Sequence, residues 1–88
     1  MIAILTVTGL DHPGIVAAVS TKLAELDANI LNISQTILDD YFSMICQCEL
    51  GPETDIRVAQ EELHKVGQTQ GVDIRLQSEA IFRAMREV

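Results

Sequence analysis

The chain has few of the residues that nucleic-acid-binding proteins use. Only six of its 88 residues are basic, 13 are acidic, and the net charge at pH 7 is −7. Because binding to phosphate groups depends on lysine and arginine, this balance argues against nucleic acid and anionic membranes as partners. Tryptophan is absent and aromatic residues make up 3% of the chain. The exposed aromatic strands of an RNA-binding sheet are therefore not expected either.

Cysteine is also scarce. Cys46 and Cys48 give no disulfide framework and fit a reducing compartment. We interpret both as small buried side chains on the core face of a strand. No histidine, cysteine and carboxylate spacing is typical of zinc, so we predict neither a metal site nor a cofactor. No apolar run has the length of a membrane span, and the amino terminus lacks the features of a signal peptide, so we expect a cytoplasmic protein.

Hydrophobic periodicity predicts an α+β domain. It indicates, in order, a strand at 2–8, a helix at 13–27, strands at 29–38 and 41–50, a second helix capped by Thr54, a strand at 72–77 and a short last helix capped by Ser78. Right-handed crossovers make a ferredoxin-like βαββαβ fold the leading topology. Its four-stranded antiparallel sheet has the order 4-1-3-2, with both long helices on one face. We predict one domain over 1–88, with a core at 1–77 and a helical extension at 78–88.

The second face of this sheet is too apolar to lie in water. Strand alternation places four large side chains there, namely Ile2, Ile4, Tyr41 and Ile45. We expect either the terminal helix or a second subunit to cover this face.

The stretch GLDHPGIV, residues 9–16, joins the first strand to the first helix. Gly9 and Gly14 allow tight turning, and Pro13 suits the first position of a helix. The free N–H groups at the start of that helix attract a negative group. Asp11 has two possible roles, as the cap of the helix or as the partner of a ligand ammonium group. Asp11 and His12 are adjacent, but no nucleophile lies nearby, so we predict no catalytic residues.

The segment GLDHPGIVAAVSTKLAELDANILNISQTI, residues 9–37, resembles the ACT domain. In that family the first strand leads into a G-x-D-x-P-G-I/V loop, and the second strand starts with Asn-Ile. The matching positions here are Gly9, Asp11, Pro13, Gly14, Ile15, Asn29 and Ile30. The last segment, SEAIFRAMREV, looks like that of the small freestanding ACT-domain proteins of prokaryotes. The resemblance thus covers nearly the whole chain.

The resemblance implies the same fold, assembly into dimers or higher oligomers, and an amino-acid site between two subunits. In such a site the first loop of one domain faces the second strand of its neighbour. The implied ligand-binding residues are Asp11, His12, Gly14 and Ile15 in the loop, with Asn29 and Ile30 in the strand. The leading hypothesis is a non-enzymatic sensor of a small amino acid that acts on an unidentified protein. The alternative is a homodimeric interaction module without a ligand, in which the loop is purely structural.

Overall fold

The computed structural model describes residues 1–86, so positions 87 and 88 of the predicted extension lie outside the described residues. Its elements are β1 (Ile2–Leu10), α1 (Ile15–Glu25), β2 (Ala28–Leu38), β3 (Tyr41–Leu50), α2 (Ile56–Gln70), β4 (Val72–Ser78) and α3 (Glu79–Arg86). The four strands form an antiparallel sheet in the order β2-β3-β1-β4. The predicted ferredoxin-like topology is confirmed.

The core lies between the sheet and the two long helices. Side chains of β3 and β4 alternate between buried and exposed, as expected for strands with one covered face. In β1, three consecutive residues at 3–5 are buried, as expected for a central strand covered on both faces there. The largest fully buried side chains are Leu5, Ile15, Leu23, Leu63, Val7, Val19, Cys46 and Cys48. Burying one large aliphatic side chain contributes roughly 1.5–3 kcal/mol, so this layer supplies most of the driving force for folding.

The two long helices begin differently from the sequence prediction. Thr54 does not cap α2; its hydroxyl donates to the carbonyl of Leu26, 3.0 Å away, and ties the end of α1 to the start of α2. The cap is Asp55, whose Oδ1 accepts the Arg57 N–H at 2.8 Å. The first helix begins at Ile15 rather than at Pro13. A short polar side chain can cap from either of two adjacent positions, and tertiary contacts decide which one does so.

The terminal helix α3 covers part of the second face of the sheet. Its predicted cap is confirmed, because Ser78 Oγ accepts the Ile81 N–H at 3.2 Å. The helix contacts β1 and β4, and it leaves Ile4 only 9% exposed. Further along the same face, Ile45 and Tyr41 remain 38% and 62% exposed. The terminal helix therefore supplies only some of the expected cover.

Side-chain hydrogen bonds fix α3 to the sheet. Asn32 Nδ2 donates to Gln47 Oε1 at 2.8 Å, and Gln47 Nε2 donates to Glu79 Oε2 at 2.8 Å. This chain of contacts crosses from β2 through β3 to α3. It satisfies both ends of the Gln47 amide at the border of the covered region.

The two edges of the sheet differ sharply. On β4, Arg75 Nε lies 3.0 Å from Asp73 Oδ2, and Gln60 Nε2 of α2 donates to the carbonyl of Leu76 at 2.7 Å. On β2, residues 29–38 are all exposed, and the strand contains no charged residue. Charged side chains and bonded carbonyls protect an edge strand from pairing with another chain. The edge formed by β2 has no such protection.

Candidate functional site

The loop between β1 and α1 is fixed to the β2–β3 turn. The Asp11 N–H donates to the carbonyl of Asp40 at 2.8 Å. Gly9, which we expected to form part of a turn, lies instead inside β1, paired with Phe42 and Val72. A Cβ at Gly9 would lie 2.8 Å from Val72 Cγ1. Glycine at this position therefore allows β1 and β4 to approach each other closely.

Gly14 is the N-cap of α1, and its backbone takes the left-handed conformation with φ 94°. L side chains rarely adopt this conformation, which explains the glycine. No side chain caps the helix, so the capping role that we considered for Asp11 is wrong. Within residues 1–86, the carboxylate of Asp11 has no hydrogen-bond or ion-pair partner. It remains available to an external cation.

The first turn of α1 leaves backbone donors open. The first intrahelical bond runs from the Ala18 N–H to the carbonyl of Gly14, at 3.0 Å. The preceding N–H groups of Ile15, Val16 and Ala17 have no acceptor in the part of the chain that the structure describes. The first turn also contains no acidic residue. This end of the helix is therefore suited to a negative group.

His12 is occupied on both sides of its ring. Nδ1 lies 2.9 Å from the carbonyl oxygen of Pro13, and Nε2 lies 2.6 Å from that of Gln70, the last residue of α2. These two contacts, the Gln70 contact first, raise the pKa of His12 above its ordinary value, and the charge of Asp11 raises it further. Neither ring nitrogen bonds to the Asp11 carboxylate, so the two residues do not form a hydrogen-bonded acid/base pair.

Asn29 and Ile30 lie at the opposite end of the sheet from the loop. The strand register pairs Leu10 with Tyr41 and Tyr41 with Leu38 at one end, and Ile2 with Glu49 and Glu49 with Asn29 at the other. At about 3.3 Å per residue, the length of β1 separates these ends by roughly 26 Å. A single chain therefore does not bring the predicted loop and strand residues together.

Both predicted strand residues are accessible. Asn29 borders an open depression of about 430 Å³ whose rim includes Asp27 and Glu49. Ile30 is exposed although it lies opposite buried Cys48, because the two long helices leave β2 largely uncovered. Sequence reasoning missed two other residues at the site, Asp40 and Gln70. Both residues contact the loop through their backbone carbonyl groups. Every residue type has this group, so the sequence does not reveal such contacts.

The two cysteines lie on the core face of β3, as predicted, and both are buried. Burial raises the pKa of Cys46, and burial with the charge of Cys46 raises the pKa of Cys48 to about 11. The nucleophilic thiolate is therefore scarce at neutral pH. Within residues 1–86, no group of three or more histidine, cysteine and acidic side chains is placed to hold a metal ion, and no helix is long and apolar enough to cross a membrane.

We expect neither thiol to react with a disulfide reagent in the folded protein at pH 8. The physical reason is burial, which excludes the reagent and suppresses the thiolate. The measurement is the release of thionitrobenzoate with and without denaturant. Two thiols per chain should react at once after unfolding, and the native rate should be at least about 100-fold lower. Rapid native reaction of one thiol would contradict this prediction.

Sheet order, two long helices on one face and a glycine-capped helix after the first strand define a ferredoxin-like α+β module. A family model described as ACT domain matches residues 1–77, and the chain belongs to this family. The ACT domain is a regulatory module that often binds an amino acid. Small proteins of the family are regulatory modules and are not enzymes by themselves.

Relatives share this architecture over most of the chain. A UPF0237 protein of Corynebacterium glutamicum is 54% identical over 89 residues, which cover 100% of both chains. The structure of an ACT domain protein from Streptococcus pneumoniae has a TM-score of 0.84 and 49% identity, covering 93% of each chain. The ligand-free regulatory subunit of aspartate kinase from Thermus thermophilus has a TM-score of 0.69 and 25% identity, over 89% of this chain and 51% of that one.

Proposed function

We propose that the protein is a non-enzymatic, homodimeric sensor of a small amino acid that regulates a partner protein. One observation carries this proposal: the N–H groups at the start of α1 have no acceptor, and the carboxylate of Asp11, in the loop that leads into this helix, has no partner in the described part of the chain. The N–H groups suit the carboxylate of an α-amino acid, and Asp11 suits its ammonium group. The strongly acidic chain disfavours a dianion, whereas a zwitterion meets no net repulsion.

A second copy of the chain completes the site. Within one chain, Asn29 and the loop lie roughly 26 Å apart along the sheet. A twofold axis through the middle of β2 would pair the two copies of this strand in antiparallel fashion. The first residues of β2 in one copy would then lie opposite the last residues of β2 in the other. The end of β2 leads into the turn whose Asp40 carbonyl holds the loop. Such pairing places Asn29 and Ile30 of one copy next to the loop of the other.

The residues of this composite site have distinct roles. The backbone N–H groups of Gly14 and Ile15 bind the carboxylate of the ligand. Gly14 is the N-cap of α1, and Ile15 is the first residue of the helix. Asp11 binds the ammonium group. Asn29 of the other copy both donates and accepts hydrogen bonds, so it can contact either end of a zwitterion. Ile30 provides an apolar wall, and His12 holds the loop in place through its two carbonyl contacts.

Calorimetric titration with each of the common amino acids tests the sensor. We expect at least one to bind at millimolar concentration or tighter. Replacing Asp11 by asparagine should weaken binding roughly tenfold or more, because a charged hydrogen bond is lost. The matched control is Asp39→Asn, which makes the same charge change in the neighbouring turn. Asp39 has a positive φ of 57°, which asparagine tolerates well.

Mixing two variants tests whether the site is shared between subunits. A dimer of one Asp11→Asn chain and one Asn29→Ala chain has one site with both changes and one site with neither. We expect the mixture to recover sites of wild-type affinity that each variant alone lacks. Failure to recover them would contradict the composite site. If no amino acid binds to the wild-type protein, the sensor is wrong and the unprotected edge of β2 favours a ligand-free homodimeric module.

A further inference from the structure

The two contacts of His12 impose a protonation state. Both partners, the carbonyl oxygens of Pro13 and Gln70, only accept hydrogen bonds, and they lie 2.9 and 2.6 Å from Nδ1 and Nε2. A neutral imidazole carries a single N–H, so it satisfies one of these acceptors and presents a lone pair to the other. Only the imidazolium form donates to both.

The surroundings of His12 favour this positive charge. Gln70 ends α2, where the helix dipole is negative, and the last turn of α2 contains no basic residue. Asp11 lies next to His12 in the loop, and its charge acts in the same direction. The nearest ammonium group along α2, that of Lys65, is bound to Glu62 at 2.9 Å. The first turn of α1 has no charged residue.

Two other neighbouring elements carry acidic side chains, and the base of β4 is paired. The β2–β3 turn, which holds the loop through the Asp11 N–H, contains Asp39 and Asp40. Strand β4 begins with Val72 and Asp73 directly after α2, and the carboxylate of Asp73 is paired with Arg75. No neighbouring element therefore presents an unpaired cation that would compete with a charged His12 in the described part of the chain.

We infer that His12 is an imidazolium clamp between the α1 loop and the end of α2, and that its proton makes the loop's affinity for a carboxylate depend on pH. His12 is a positioning residue, and the second half of this inference rests on the proposed function. When His12 is protonated, its charge cancels that of Asp11. When it is neutral, the loop has a net negative charge, and the ring can donate to only one of the two carbonyl oxygens.

The direction of the pH effect follows from linkage. The pKa of His12 is raised in the folded chain, so its contribution to stability is complete below the ordinary value of about 6.5. That contribution disappears as the pH rises through the folded value. Carboxylate binding should weaken over the same range, because a single exposed charge near a helix end changes affinity by a factor of about two to five.

Nuclear magnetic resonance of a His64→Gln chain tests the clamp directly, because His12 is then its only histidine. The ring nitrogens of His12 are followed from about pH 5 to about pH 9. We expect both nitrogens to be protonated at the acidic end, with a midpoint above 6.5. A midpoint at or below that value would overturn the inference. This result does not depend on any ligand.

Formate then serves as the probe of the loop, since this simple carboxylate has no ammonium group and stays a monoanion at both about pH 5.5 and about pH 8.5. Shifts of the Ile15, Val16 and Ala17 amide signals report its binding. We expect roughly two- to fivefold weaker binding at the higher pH, and a His12→Gln variant that binds equally at both. Equal affinity in the chain that retains His12 would refute the pH dependence. If formate binds at neither pH, the pH dependence is wrong, and the titration of the His12 ring still tests the clamp.

Discussion

Replacing Ile33 by lysine is expected to convert the proposed dimer into a monomer at micromolar concentration. Ile33 lies at the middle of β2, is 47% exposed and shares its face with Ile30 and Ile37. In the proposed antiparallel pairing, the two copies of this residue lie close to the twofold axis. Two ammonium groups would then approach each other on a surface that contains no acidic residue to balance them. Like charges across an interface cost several kcal/mol, so dimerisation should weaken at least about 100-fold.

Sedimentation over a range of concentrations measures this change. The matched control is Val58→Lys on α2, where a residue that is 54% exposed receives the same charge. That variant should remain dimeric. Because the proposed site spans two copies, Ile33→Lys should also lose amino-acid binding while Val58→Lys keeps it. An Ile33→Lys chain that stays dimeric would show that β2 is not the interface.

Replacing Leu63 by alanine should destabilise the fold by about 2–5 kcal/mol. Leu63 lies at the middle of α2, is 1% exposed and belongs to the core shared by the sheet and both long helices. Removing its branched end leaves a cavity that the strands cannot fill without breaking their register. For a chain of this size, such a loss lowers the melting temperature by roughly 10–25 °C.

Thermal unfolding followed by circular dichroism, at one fixed protein concentration, measures this effect. A fixed concentration is needed because the proposed dimerisation would add to the apparent stability. Val58→Ala in the same helix is the control, and it should change stability by less than about 0.5 kcal/mol. Similar losses in the two variants would indicate that helix propensity, and not packing, determines the stability of α2.

Residue patterns predicted the architecture because each pattern depends on local geometry. Strand alternation in β3 and β4 and the helical spacing of Val19 and Leu23 follow from the periods of the backbone, and the sheet order follows from chain chirality. The prediction that Thr54 caps α2 was wrong, because the Thr54 hydroxyl binds a carbonyl 28 residues away. The spacing of residues in the sequence does not reveal contacts between distant parts of the chain.

The candidate site was predicted only in part, for the same reason. The sequence predicted free N–H groups at the start of the first helix, and the structure has them there, although the helix begins at Ile15 and not at Pro13. The bond from His12 to Gln70 joins residues 58 apart, through an oxygen that every residue type carries. The alternation in β2 resembled that of a strand with one covered face. Its exposure depends on how far the helices extend across the sheet, which is a property of the whole fold.

The bare edge of β2 also has a consequence for the chain during synthesis. Eleven residues without charge or proline, rich in isoleucine, form the kind of strand that seeds ordered aggregates when it is left unpaired. In the proposed dimer, the second copy shields this strand. Self-association would then compete directly with misassembly, and newly made chains would be most at risk of aggregation before they meet a partner.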